Sequence, residues 1–226
     1  MRFILRAAGA LFAFAGLSLI VALGAQWLEP MEMQLMQAIL ALRNSPLTTL
    51  VQIVTYITSA VPCALFMGFV SLALLRRAAL SLPHKPIWVY WRQLWPGLIF
   101  AGAIGSNIAV RIWLGRLPPQ VEYLPTLLPE IYAGFHRYSF PSGHAGTALV
   151  TYVSAVLVAQ NVFPLSAQRI RTRMAVVAAL IILGTGFGRV YLGVHWPTDV
   201  LGGYMLALFW VYIGCWLKNS DGVRQE

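Results

Sequence analysis

The chain alternates between long apolar runs and short polar stretches. Six of the runs reach or approach the ~20 residues a helix needs to cross a bilayer. They are Ile4–Leu23, Leu47–Leu75, Leu94–Val110, His144–Phe163, Met174–Val190 and Thr198–Leu217. Their apolar residues are continuous rather than alternating, and the runs are too long for strands. The pattern predicts an all-α, six-span transmembrane helical bundle forming a single domain over residues 1–226. Between the first two runs, Leu35, Met36, Ile39 and Leu40 follow a helical period within Gln26–Ser45. This predicts a short interfacial helix whose role is to connect two spans.

Composition supports the bilayer as solvent. Of the 226 residues, 59% are hydrophobic and 10% are charged, against about 25% charged in an ordinary soluble domain. The net charge of +9 comes from 16 Lys and Arg. They sit in small clusters between the apolar runs, the arrangement that sets topology rather than one that binds nucleic acid. Arg2, Arg6, Arg76, Arg77, Lys85, Arg92, Arg169, Arg171, Arg173, Lys218 and Arg224 share one side of a six-span chain. The positive-inside rule makes that side cytoplasmic, with both termini. Arg43, Arg111, Arg116, Arg137 and Arg189 fall on the other face. Arg2, Arg6 and the small residues Ala22-Leu23-Gly24-Ala25 give the first run some likeness to a secretory signal peptide. The run is long for one, and an uncleaved anchor keeps the span count even. Cys63 and Cys215 lie inside apolar runs and are expected to be buried small hydrophobes.

Polar residues at span ends carry the candidate chemistry. Arg111 follows the third run, His144 opens the fourth, Arg189 ends the fifth, and His195 and Asp199 flank the start of the sixth. Span parity puts all five on the outer face. Singly, each has a plain reading: a snorkelling Arg, a hydrogen-bonded His, an Asp capping a helix. Together their chemistry is complementary. Guanidinium groups match phosphate oxygens. Two histidines can divide nucleophile and general-acid duties, and a carboxylate beside a His fixes its tautomer. His195 and Asp199 are four residues apart, about one helical turn, and Pro197 suits the first turn of a helix.

Pro141-Ser142-Gly143-His144 adds an anion site, with Ser142 as a helix cap and Gly143 allowing close backbone approach. No His, Cys or carboxylate set has metal-ligand spacing, and Glu122 and Glu130 lie apart, so no metal or other cofactor is expected. The glycines of Gly184-Thr185-Gly186-Phe187-Gly188 are expected to serve helix packing rather than a nucleotide. Ser106 and Asn107 are expected to make helix–helix hydrogen bonds.

These residues resemble the type 2 phosphatidic acid phosphatases (PAP2), six-span lipid phosphatases related to vanadium haloperoxidases. The family pattern is Lys-x6-Arg-Pro, then Pro-Ser-Gly-His, then Ser-Arg-x5-His-x3-Asp. Pro141-Ser142-Gly143-His144 matches the second part completely, and Arg189, His195 and Asp199 keep the spacing of the third. Arg111 stands in place of the first Lys, Pro118 in place of the first Arg, and Gly188 in place of the Ser. Arg116, two positions before Pro118, is the candidate for a compensating guanidinium. The motif-bearing core runs from about residue 94 to 217.

The resemblance implies that His195 attacks phosphorus to form a phosphohistidine, Asp199 orients it, and His144 protonates the leaving oxygen. Arg189, Arg111, Ser142 and the Gly143 N–H would hold the phosphoryl oxygens, with Arg116 assisting. The expected activity is hydrolysis of a lipid-linked phosphate or pyrophosphate at the outer face of a bacterial-type inner membrane. Undecaprenyl pyrophosphate, phosphatidylglycerophosphate, phosphatidic acid and lipid A are the candidate substrates. Two alternatives stand beside it. One is a lipid phosphotransferase using the same residues. The other is a non-catalytic membrane transporter or binding protein, which calls for charges near mid-bilayer.

Overall fold

A computed structural model describes residues 1–81, 84, 86–121, 138–162 and 168–219. The expectations placed on Lys85, Glu122, Glu130, Arg137, Phe163 and Arg224 lie outside these residues. Among the described residues every regular element is helical: α1 (Arg2–Leu40), α2 (Ser45–Ile57), α3 (Ala60–Ser81), α4 (Ile87–Trp91) with a 3-10 turn at Arg92–Leu94, α5 (Trp95–Leu114), α6 (Gly143–Val162), α7 (Gln168–Tyr191) and α8 (Pro197–Asn219).

The helices alternate in direction. At one end Phe3 of α1, Trp95 of α5, Leu157 of α6 and Leu217 of α8 share a core cluster. At the other end Met36 of α1, Ala145 of α6, Val190 of α7 and Val200 of α8 pack together. The start of α1 and the close of α8 therefore meet at one end, and all the motif-bearing turns meet at the other. Large apolar side chains such as Phe12, Leu23, Phe69, Leu180 and Leu183 face outward, as a lipid-solvated surface requires. Five stretches, Arg2–Leu40, Ala60–Ser81, Val89–Leu114, Gln168–Tyr191 and Pro197–Asn219, are long and apolar enough to cross a bilayer. The remaining long helix, α6, packs against protein along its first turns. Residues 145–151 are all buried, and small or hydroxylated side chains there let neighbours approach.

Two boundaries differ from the sequence pattern. The first run and the expected interfacial helix are one continuous helix of 39 residues, with Pro30 inside it. At 1.5 Å per residue it is roughly 58 Å long, well beyond the hydrocarbon thickness. The helical period around Met36 is real, and Met36 has no exposed surface. The segment is the last part of α1, set into the bundle, rather than a separate connector.

The second run is broken at Thr58-Ser59 into α2 and α3. Pro62, in the first turn of α3, has no N–H to continue a preceding helix. At 13 residues, α2 is roughly 20 Å long and cannot cross alone. The two helices make one crossing between them: Val51 of α2 packs on Tyr191 at the motif end, and Cys63 and Met67 of α3 join the opposite cluster.

A break in the backbone at this depth leaves polar groups that lipid cannot satisfy. Here they are met from within. The Thr147 hydroxyl of α6 donates to the Thr58 carbonyl at 2.6 Å, and Thr185 of α7 approaches the Thr58 hydroxyl at 3.3 Å. Thr58 has no exposed surface. The substitution Thr147→Val, which keeps the shape and removes the donor, is expected to cost about 1 kcal/mol. It should lower the thermal midpoint in detergent, whereas Thr147→Ser should not.

Candidate active site

The site is built outward from the first turn of α8, which opens at Pro197. The Asp199 side chain turns back and accepts the Trp196 N–H on Oδ2 at 2.8 Å, the reach-back half of a capping box. The same oxygen lies 3.4 Å from His195 Nδ1. Asp199 has no exposed surface and His195 is buried beside it. The i, i+4 spacing thus becomes a carboxylate–imidazole pair, with Nδ1 as the ring nitrogen that faces the carboxylate.

The other oxygen of Asp199 is held from elsewhere. Arg116 Nη1 donates to Asp199 Oδ1 at 2.9 Å and to Thr198 Oγ1 at 2.7 Å. Arg116 Nη2 donates to Glu32 of α1. Glu32 in turn accepts the Thr198 backbone N–H at 2.8 Å and the Thr198 hydroxyl at 2.7 Å on its other oxygen. Its carboxylate therefore meets an N–H of the first turn of α8, where helix donors have no internal partner and negative charge is favoured. The Arg116 guanidinium also lies 5.1 Å from the Trp196 ring centroid. Trp196 is fixed by its indole N–H, which donates to the Leu117 carbonyl at 3.0 Å.

The Pro141-Ser142-Gly143-His144 turn is tied to the same helix. The Ser142 N–H donates to the Asp199 carbonyl at 2.8 Å, and Ser142 Oγ lies 3.5 Å from the Ala145 N–H in the first turn of α6. The Pro141 carbonyl accepts from Arg111 Nη2 at 2.9 Å and from Asn107 Nδ2 at 3.3 Å. A Cβ on Gly143 would sit 3.6 Å from both Arg111 Nη2 and Asn107 Oδ1, so glycine leaves that approach open. On α8, a Cβ at Gly202 would meet the Phe140 ring at 2.6 Å, and one at Gly203 would collide with the Ser142 carbonyl. The pair of glycines is what seats the turn against α8.

Arg189 lies on α7 at the same end of the bundle, beside Val190, which packs with Ala145 and Trp196. Arg189 is 1% exposed and lies in the last helical turn, where a cation complements the helix dipole. Tyr191, two residues on, is clamped to α2 and to the α1–α2 connection: its hydroxyl lies 2.9 Å from Thr48 Oγ1, and Arg43 Nε donates to its carbonyl at 3.0 Å. His144 stands half-buried in the first turn of α6. Its neighbour Ala145 packs with Val190 and Trp196, which brings the ends of α6, α7 and α8 together.

Six of the eight candidate residues thus fall into two sets: Arg111, bonded to the Pro141 carbonyl of the turn that carries Ser142 and Gly143, and Arg116 with His195 and Asp199. The Ser142–Asp199 backbone bond joins them, while His144 and Arg189 flank them. Gly188 answers a packing need: a Cβ there would meet Val51 Cγ1 at 3.0 Å and Thr55 Oγ1 at 3.5 Å. A serine hydroxyl would have faced α2. Gly186 likewise admits the Tyr204 ring, so this glycine run serves helix packing.

Ser106 makes its helix–helix bond, accepting from Trp210 Nε1 at 3.0 Å. Asn107 instead reaches the motif turn. Sequence reasoning passed over Glu32, Thr198 and the site-facing role of Asn107. The available signal for Glu32 was an acid within an apolar helical period, four residues before Met36.

The model of the PAP2 superfamily matches residues 94–221. The chain belongs to that superfamily. Among curated relatives, phosphatidylglycerophosphatase B of Bacillus subtilis is 31% identical over 55% of this chain and 59% of its own length. An undecaprenyl-diphosphatase of Sulfolobus acidocaldarius is 27% identical over 39% of this chain and 37% of its own length. The putative undecaprenyl-diphosphatase YbjG of Escherichia coli is 39% identical over 34% and 31%. The chain therefore aligns with less than two thirds of each of these relatives.

A crystal structure of a transmembrane PAP2-type phosphatidylglycerolphosphate phosphatase from Bacillus subtilis shares the fold. Its TM-score is 0.75 at 21% identity, over 98% of both chains. The superfamily match begins after α3, so Glu32 lies outside it.

The glycine seat makes a measurable prediction. Gly203→Ala would drive a methyl into the Ser142 carbonyl and is expected to destabilise by about 1–3 kcal/mol. Gly105→Ala, where a Cβ meets nothing within 4 Å, should leave the thermal midpoint in place.

Proposed function

We propose that the protein is a membrane lipid phosphate phosphatase acting on a lipid-linked phosphate or pyrophosphate through a phosphohistidine on His195. The observation that carries this reading is the buried His195–Asp199 pair, bonded through its own backbone to the Ser142–Gly143–His144 turn, with Arg111 and Arg189 buried at the same end of the bundle. Guanidinium groups gathered there suit an anion, and phosphate oxygens match their geometry.

The chemistry follows from the placement. Asp199 on Nδ1 leaves the Nε2 lone pair of His195 to attack phosphorus. The bond from phosphorus to the leaving oxygen breaks, and that oxygen takes a proton from His144. Water then gives a proton back to His144 and attacks phosphorus. The P–N bond breaks, inorganic phosphate leaves and His195 is restored. Arg111, Arg189, the Ser142 hydroxyl and the Gly143 N–H are the groups proposed to stabilise charge on the phosphoryl oxygens, which is most of what phosphoryl transfer asks of a protein.

Among the candidates, the names of the relatives favour phosphatidylglycerophosphate and undecaprenyl diphosphate. Both present a phosphate at the end of a membrane-held lipid. We place the site at the extracytoplasmic face, with both termini cytoplasmic, on the distribution of Lys and Arg.

Two measurements test the reading. Detergent-solubilised protein should release free phosphate from at least one of these lipids, and His195→Ala should reduce the rate by ~10³-fold or more. Phosphate appearing on an acceptor lipid instead would establish a transferase, and an undiminished rate in the variant would remove His195 as nucleophile. Reporter fusions after Arg77 and Arg171 should both read as cytoplasmic, and an extracytoplasmic result at either position would invert the topology.

A further inference from the structure

We propose that Glu32 and Arg116 form a positioning relay for the catalytic pair, and that Arg116 serves Asp199 rather than the substrate phosphate. This inference rests on the phosphatase reading for its kinetic test.

Both terminal nitrogens of the Arg116 guanidinium are already occupied. Arg116 is 6% exposed. Nη1 is committed to Asp199 and Thr198, and Nη2 to Glu32. The remaining nitrogen, Nε, makes no hydrogen bond and has the half-exposed Glu29 carboxylate 4.0 Å away. Three acidic side chains thus surround this one cation. A guanidinium flanked by two buried carboxylates has its charge already met, and it offers a phosphate neither a free fork nor a net field.

The chain of contacts has a direction. Glu32 is anchored by two donors of Thr198, the residue before Asp199. It holds Nη2 of Arg116, and Nη1 then holds Oδ1 of Asp199. With Oδ1 fixed and the Trp196 N–H on Oδ2, the carboxylate can present only one orientation to His195 Nδ1. The relay thereby joins α1, the start of the α5–α6 loop and α8. Glu32, Arg116 and Asp199 together sum to one negative charge, which favours the imidazolium character that develops on His195 as Nε2 attacks. Partners one shell out from a reacting group commonly alter activity by about 10–100-fold.

A competing placement exists. Arg116 and Trp196 border a cleft of about 650 Å³ between α1 and residues 114–120, and a substrate entering it could meet the guanidinium. The two roles differ in kinetics.

The experiment uses full-length protein in detergent, with Glu32→Gln and Arg116→Lys as variants and inorganic phosphate as a competitive probe. Glu32→Gln keeps an acceptor for Thr198 and removes the charge facing Arg116. Arg116→Lys keeps a charge and loses the two-sided fork. In each variant the turnover rate is expected to fall by about 10–100-fold. KM for the lipid and the inhibition constant of phosphate should both stay within about twofold of wild type, since the phosphate-binding groups are untouched. The double variant should be no worse than the poorer single one, because both act on one element.

A rise in KM and in the phosphate inhibition constant would overturn the relay in favour of direct phosphate binding, and an unchanged turnover rate would overturn it outright. A second readout is the ¹⁵N resonance of His195 Nδ1 in labelled protein. It should move in Glu32→Gln, although Glu32 does not touch the ring. An unmoved resonance would sink the relay. If wild type released no phosphate from any lipid, the phosphatase reading would fail while this resonance still judged the relay.

Discussion

Asp199 is the point on which the structure turns. It has no exposed surface, and bonds reach it from several stretches of chain. Its carboxylate takes the Trp196 N–H and the Arg116 guanidinium and faces His195. Its carbonyl takes the N–H of Ser142. A carboxylate in an apolar bundle is tolerated only when its charge and lone pairs are met. That requirement brings the end of α1, the exit of α5, the start of α6 and the start of α8 to one place. The placement of the site is thus a consequence of satisfying a buried charge where water cannot do so.

The bilayer imposes the same rule elsewhere in the fold. The break between α2 and α3 is closed by hydroxyls from α6 and α7. Glycines on α7 and α8 also let neighbouring elements approach closely, as at Gly203 against the Ser142 carbonyl. Apolar area between helices carries little preference when lipid is the alternative. Polar contacts and close packing are then what define one arrangement.

Much of this is legible in the sequence, for a physical reason. Charges at the ends of apolar runs are ordinary one at a time, but two Arg, two His and an Asp together are not, so Arg111, His144, Arg189, His195 and Asp199 stand out as a group that span parity alone puts at one end. Two features escape. Glu32 lies in a stretch of mixed polarity after Pro30, which reads as a connector. Only the continuation of α1 through that proline carries it into the site. The break at Thr58-Ser59 is hidden because both flanks are apolar, and Pro62 alone signals it. Arg116 is visible as a cation near the motif. Its partners are not, since Glu32 and Asp199 are 84 and 83 residues away. The superfamily match covers the pair and the motif turn but not α1.

At the centre of the proposed chemistry, His195, held on its Nδ1 side by Asp199, takes the phosphoryl group. The most direct measurement is to react the purified protein with a lipid phosphate, quench in alkali to preserve phosphoramidate bonds, and map the modified peptide by mass spectrometry. The expected result is a phosphoryl group on His195, absent when Asn replaces that residue. A phosphoryl group found on His144 or on a carboxylate, or turnover with no phosphoenzyme under conditions that trap one, would contradict it.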